Sequence, residues 1–168
     1  KIYAIKQRPE RKPILLFVSN VSMAKKYTRI SLRQSRFLKK MWPGPVSVAL
    51  SNTHAVPGWN TKTLALRAPK NALLQSALVK IRLPLTGTSA NISGRSTPKT
   101  SSAIMRHFTH ARKKPDAIYV SRAGVRTRRA SKNKSSTLIA FNKNAPVVLR
   151  PGALSEKIIA RTWKATQL

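Results

Sequence analysis

Two short stretches of this chain carry the residue types that a phosphate-bearing ligand calls for. The first is Lys6-Gln-Arg8-Pro9, followed by Lys12-Pro13. In an extended segment residues two apart share a face, so Lys6 and Arg8 would point the same way. The second runs from Pro84 to Gly94, where an apolar pair able to end a strand leads into Gly87, Thr88, Ser89, Asn91, Ser93 and Gly94. Small hydroxyl and amide side chains, with glycines that let backbone approach closely, make a nucleotide or phosphate cradle. Taken alone, this second stretch reads more simply as an ordinary Ser/Gly/Asn loop. Two cations projecting together toward it suit a triphosphate. Arg67 adds a third cation, set in the apolar run 63–68. A cation so deep in a strand needs an anion, and a bound nucleotide would supply one.

Other chemistries find little support. The chain has no cysteine, hence no disulfide framework, thiolate metal site or cysteine nucleophile. His107 and His110 lie three apart on an expected helix, but no carboxylate or cysteine is near enough in sequence to complete a metal site. His54 has no identifiable partner. Paired carboxylates, a nucleophile elbow and a Walker-type glycine loop are all absent. Trp42, Trp59 and Trp163 could stack on bases, yet a tryptophan beside Pro43-Gly44-Pro45 reads as a packing anchor.

The elements that must position these residues alternate between strand and helix. Residues 1–9 read as the tail of a helix or an extended lead-in. Strands are expected at 14–18, 46–50, 63–68, 83–86, 117–120, 136–141 and 146–149. Helices are expected at 22–27 and 31–41 with serine caps, at 72–81, at 100–108 and at 155–164. The helix at 72–81 is expected to bury Leu73, Leu74, Ala77, Leu78 and Ile81, and Pro43 and Pro45 stop the one before Trp42. This order predicts an α/β fold, a twisted open mixed sheet with flanking helices, formed by one domain over residues 1–168. With 41% hydrophobic residues, the 168-residue chain can bury a real core.

Charge sets it apart. There are 34 Lys and Arg against 3 acids, Glu10, Asp116 and Glu156. Such a chain repels itself at low salt and calls for a polyanion, nucleic acid above all. Residues 121–134 are the most basic and least apolar, and Arg122, Arg126, Arg128, Arg129, Lys132 and Lys134 read as an RNA-contacting loop or arm. No apolar run has membrane-spanning length and no signal peptide precedes the first strand, so no membrane partner and a cytoplasmic protein are expected, or an organellar one if it associates with ribosomes.

Six motifs occur in a fixed order: Lys-x-Arg-Pro-x-x-Lys-Pro (6–13), Trp-Pro-Gly-Pro (42–45), Leu-Arg-Ala-Pro (66–69), Thr-Ser-Ala-Asn-Ile-Ser-Gly (88–94), Ser-Thr-Leu (136–138) and Leu-Arg-Pro-Gly-Ala (149–153). The set resembles the YrdC-like threonylcarbamoyl-AMP synthases over nearly the whole chain. The resemblance implies a YrdC-like fold and ATP-dependent formation of threonylcarbamoyl-AMP from L-threonine and bicarbonate, for tRNA modification. It places Lys6, Arg8, Ser89 and Asn91 as catalytic and Arg67, Thr88, Ser136 and Arg150 at nucleotide contacts. Mg²⁺ would be held chiefly by the phosphates and water, with no protein metal site.

Two departures from the family stand out. Its members carry, ahead of this point, a strand and helix with a Thr-x-Thr-x-Tyr-Gly-Leu-type motif for the amino-acid pocket, whereas this sequence starts at the Lys-Ile-Tyr that follows. The family's Asp-Gly-Gly turn corresponds here to Val120-Ser-Arg-Ala-Gly124, without the acid. A rival expectation is therefore a non-catalytic RNA-binding or ribosome-associated protein that reuses the fold. A third is a domain cut from a larger carbamoyl-handling enzyme.

Overall fold

The computed structural model describes residues 1–9, 14–53, 61–109, 113–119, 134–142 and 145–166. The chain divides into two compact units. Unit 1 comprises Lys1–Lys12 and Thr88–Lys132, and unit 2 comprises Pro13–Gly87 and Asn133–Leu168.

Unit 2 is built on a six-stranded mixed sheet. Its strands are β1 (Leu15–Phe17), β2 (Val46–Ser51), β3 (Thr63–Arg67), β4 (Leu85–Gly87), β5 (Thr137–Asn142) and β6 (Ala145–Arg150), in the order β4-β1-β3-β2-β5-β6. β1 runs parallel to β3 and β2 parallel to β5, while the other neighbours are antiparallel. Val46, Val48, Leu64, Leu66 and Ile139 are fully buried, which explains the near-continuous apolar character of the central strands. The mixed α/β sheet expected from the sequence is the one observed.

Three helices of this unit have caps that fix where they start. Helix α2 (Val21–Lys25) begins at Asn20, whose Oδ1 accepts the Met23 N–H at 2.9 Å, so the cap is this asparagine rather than Ser22. Helix α3 (Leu32–Met41) begins on a capping box, Ser31 with Gln34, and buries Phe37, Leu38 and Met41. It stops at Trp42, which is buried and whose indole Nε1 donates to Val46 O at 2.8 Å, making this ring the expected packing anchor. Helix α4 (Ala72–Ile81) is capped by Asn71. Of its expected apolar face only Leu78 is fully buried, while Leu73 and Ile81 are 57% and 50% exposed.

Unit 1 holds α1 (Ile2–Lys6) and α5 (Ser101–Phe108), the latter capped by Thr100. Ile92 and Phe108 form its small core, with Ile5 and Ile104 against them. The strand expected at 117–120 does not form over its described residues, 117–119, which are irregular. Helix α6 (Glu156–Lys164), in unit 2, packs Ile159 and Trp163 into the main core, where Trp163 meets Phe37 edge-on at 5.6 Å. No helix among the described residues is long and apolar enough to cross a membrane.

Candidate functional site

In unit 1 the residues singled out at 6 and at 88–91 do meet. Lys6 is the last residue of α1, not part of an extended segment, and the chain leaves the helix through Gln7 at φ 48, ψ 42. The Gln7 and Arg8 N–H groups donate back to Ala4 O and Tyr3 O, a Schellman closure whose left-handed residue is here a glutamine. Lys6 is the buried residue of α1, and its side chain points inward. Its Nζ, on a residue only 4% exposed, donates to Ser89 O and Asn91 O, each at 2.7 Å, and to Asn91 Oδ1 at 3.2 Å. All three ammonium hydrogens are thereby used. Burial, and after it the charge of Arg8, hold the Lys6 pKa below its ordinary 10.5.

The loop beyond β4 is closed by its own polar groups. Ser89 Oγ donates to Asn91 Oδ1, and Asn91 Nδ2 donates to Arg95 O, which pins the amide orientation. The Ser93 N–H donates to Lys6 O at 2.8 Å, so the loop and the end of α1 hold each other from both sides. His107 of α5 supplies a further tie that the sequence did not reveal. Its Nε2 accepts the Ile92 N–H at 2.9 Å, which places the ring proton on Nδ1. This histidine is an anchor for the loop rather than a metal ligand, and no sequence signal links it to Ile92. Among the described residues no cluster of three or more His, Asp or Glu could hold a metal ion; His110 and His54 lie outside them.

The anchor's strength can be measured. Replacing His107 by alanine leaves the Ile92 N–H without its acceptor, and about 1–3 kcal/mol of local stability is expected to go with it. His107→Gln, whose amide oxygen can accept the same hydrogen, should recover part of the loss. Hydrogen exchange at Ile92 reads both, and equal protection in wild type and His107→Ala would dismiss the anchor.

On the outer side of this loop lies a cavity of about 380 Å³, lined by Lys6, Thr88 and Ser89 at one side and by Ile2, Ile5, Ile104 and Phe108 along its walls. Ala117, Ile118 and Tyr119 close it, so the apolar run expected as a strand serves as a cavity wall. Asn91 is 9% exposed and sits beneath the loop, positioning Ser89 rather than lining the cavity. Arg8 is half-buried beside the end of α1. The arrangement offers two hydroxyls, from Thr88 and Ser89, over a fixed buried charge. Such a surface suits an anionic group that must be held in one place.

The other candidate residues belong to unit 2, where they tie motifs to one another. Arg67, at the end of β3, donates from Nε to Gly44 O at 2.9 Å, and the Gly44 N–H donates to Ala68 O at 2.9 Å. Burial holds the Arg67 pKa below its ordinary value. The Thr137 N–H donates to Pro45 O at 3.0 Å, and the hydroxyls of Ser47 and Ser136 share a hydrogen bond of 2.8 Å. Arg150 Nη2 donates to Ser136 O at 3.1 Å. Four of the six motifs thus interlock at one end of the sheet, where β3 and β6 finish and β2 and β5 begin. Of the expected RNA-contacting residues, Lys134 is described and exposed. Arg122, Arg126, Arg128, Arg129 and Lys132 lie outside the described residues, as does the segment 120–124 in place of the Asp-Gly-Gly turn.

Known proteins are similar to this chain in sequence and fold. A threonylcarbamoyl-AMP synthase of Pyrococcus abyssi is 28% identical over 170 residues, covering 95% of this chain and 46% of that protein. One from Yersinia enterocolitica is 30% identical over 113 residues, 64% of this chain and 60% of the relative. The chain therefore spans about half the length of these relatives. Among solved structures, P. abyssi Sua5 complexed with L-threonine superposes with a TM-score of 0.71 at 24% identity, over 96% of this chain and 46% of that one. E. coli YciO does so with a TM-score of 0.70 at 23% identity, over 94% and 74%. The model of the Sua5/YciO/YrdC family, described as telomere recombination, matches residues 1–152. A match over that much of the motif order and the sheet assigns the chain to the Sua5/YciO/YrdC family.

Proposed function

We propose that this chain is the YrdC-like part of an L-threonylcarbamoyladenylate synthase. The observation that carries the reading is the meeting of Lys6 with Ser89 and Asn91 across 83 and 85 residues of sequence, at the motif positions of a family whose relatives bear that name. In the reaction, the amine of L-threonine combines with bicarbonate to give a carbamate and water. A carbamate oxygen then attacks the α-phosphorus of ATP and displaces pyrophosphate. The threonine complex of P. abyssi Sua5 supports the amino acid as substrate.

This chemistry asks for positioning and charge neutralisation at phosphorus more than for a protein acid or base. Thr88 and Ser89 would meet the nucleotide's oxygens, Arg8 would neutralise phosphate, and Lys6 would hold the loop while lending its charge from beneath. Arg67, Ser136 and Arg150 are the nucleotide contacts proposed on unit 2. Asp116, the described acid of unit 1, is held by Lys1. ATP would thus arrive as its magnesium complex, the ion held by phosphates and water. The product would serve tRNA modification, and RNA is the partner proposed for the 121–134 segment.

Calorimetry with MgATP tests the reading. Arg8→Ala and Ser89→Ala are expected to weaken binding by about 1–3 kcal/mol each, the scale of a hydrogen bond to a charged group. Pyrophosphate release that requires both threonine and bicarbonate completes the case. Wild-type protein that binds no MgATP would return the chain to the second reading, a non-catalytic RNA-binding protein. That reading is favoured by 34 cations against 3 acids and by a Lys6 ammonium already satisfied within the protein.

A further inference from the structure

Helices α3 and α6 lie side by side on unit 2. The Arg33 guanidinium stacks over the Trp163 ring at 4.0 Å, and Lys40 Nζ donates to Ala165 O at 2.8 Å. Both helices spend their apolar sides in the core, through Phe37, Leu38 and Met41 of α3 and Ile159 and Trp163 of α6. What they turn outward is mostly basic, with Leu32 of α3 and Ile158 of α6 as the exposed large apolar residues. Lys157, Arg161 and Lys164 recur at i, i+4 and i+7, so they rise along one side of α6, and each is at the surface. Arg36, Lys39 and Lys40 are carried by α3, with Arg36 and Lys40 beside its buried stripe. Glu156 is the one acid that either helix carries. Like charges three and four apart weaken a helix, so this stripe works against the fold that displays it unless a polyanion neutralises it.

We propose that the α3–α6 face is an interface for a nucleic-acid backbone, with the α6 stripe taking successive phosphates of one strand. The stripe runs for about 10 Å at about 1.5 Å per residue. A strand presents one charge in about 3.4 Å of axis, so three cations meet about three phosphates. Lysine and arginine stems are long enough to absorb small differences in register, and such phosphate pairing carries no base information. An anionic membrane is the poorer fit. A surface-bound helix must lay an apolar side into the lipid, and α6 keeps Ile159 and Trp163 in the core, leaving only Ile158 of its large apolar residues at the surface. The proposal extends the polyanion reading above to a second, folded surface and rests on it for the class of partner alone.

Filter binding of the whole chain to a short RNA duplex of arbitrary sequence, across a potassium chloride series, tests it. In Lys157→Gln/Arg161→Gln/Lys164→Gln the slope of log affinity against log salt should become shallower by about 2–3, at about 0.9 for each phosphate no longer neutralised. Affinity at low salt should fall at least tenfold. Lys157→Arg/Lys164→Arg keeps the charge and should keep the slope, which separates removal of charge from failure to fold. Lys99→Gln/Lys113→Gln/Lys114→Gln removes the same charge from exposed positions elsewhere and should change the slope by less than half as much. A steep wild-type slope left unchanged by the α6 variant overturns the interface. So does an equal effect of the control variant, or loss of binding to phosphatidylserine vesicles with RNA binding intact. Neutralising 121–134 should leave the α6 contribution in place; if that change alone abolishes the salt dependence, the basic arm acts and this face does not. A flat wild-type response defeats the polyanion reading itself.

Discussion

Lys6→Ala is expected to release the 88–95 loop, at a local cost of about 3 kcal/mol, because three oxygens lose the same charged donor at once. Ser89 O, Asn91 O and Asn91 Oδ1 each accept from this one ammonium, and Ser89 O and Asn91 Oδ1 keep a second donor in the Asn91 N–H and Ser89 Oγ. Water can reach part of the vacated space from the cavity side, so the cost stays below the sum of three fully buried losses. The Asn91 and Ser93 amides, which donate to Ser89 O and Lys6 O, should exchange faster by about a hundredfold, the factor that 3 kcal/mol implies. Lys6→Met keeps the stem's packing and removes only the ammonium, so it should show most of the same effect. Unchanged protection at both amides in both variants would mean that the loop holds itself.

The same residue gives a pH test with a definite sign. Because the folded Lys6 pKa lies below 10.5, the unfolded chain binds the proton more tightly between the two values. Stability from this group therefore rises with pH through that window. Lys6→Met carries no proton to lose. The stability difference between wild type and Lys6→Met should move in favour of the wild type as pH climbs toward 10.5. A difference that moved the other way would mean that hydrogen bonding to the charged form outweighs its burial.

How much of this was legible beforehand depended on whether the signal was local. Ser31 and Gln34 form their capping box from residues three apart, and the start of α3 could be read directly. The Trp42 corner was equally readable, since Pro43 and Pro45 forbid helix. Residues 117–119 misled because a short apolar run has the same composition whether it pairs in a sheet or lines a cavity. In α4 the periodicity correctly gave a helix, yet periodicity does not say which apolar residues find cover, and Leu73 and Ile81 do not. The site shows the same divide. Motif order brought Lys6, Ser89 and Asn91 into one proposal, but no helix or strand pattern encodes that the helix closes directly after Lys6, through a left-handed Gln7. His107 reaches the loop from 15 residues away, through a backbone N–H that any residue but proline would offer.

Gly152→Ala should be among the most damaging single-methyl changes in unit 2, costing about 3 kcal/mol. A Cβ at this position would fall 2.4 Å from Ser135 O, 2.4 Å from Thr137 N and 2.5 Å from the Ser136 carbonyl carbon. Each of these atoms is backbone, so no side chain can swing aside and the chain itself must move, at the upper end of the usual overpacking cost. The segment it would push is already committed. The Thr137 N–H donates to Pro45 O, Thr137 Oγ1 exchanges hydrogen bonds with Leu154, and the Ala153 N–H donates to Ser135 O at 2.9 Å. A shift there opens the start of β5 and separates Ser136 from Arg150, so MgATP affinity should fall along with stability if those two residues contact nucleotide. Gly94→Ala is the matching control. Gly94 has φ +84 and open space around its Cβ position, so it meets backbone strain without a clash and should cost about 1–2 kcal/mol. Urea midpoints of the two variants, converted with a common slope, give the comparison. If Gly152→Ala proves no costlier than Gly94→Ala, the backbone around Ser136 yields more easily than its hydrogen bonds imply.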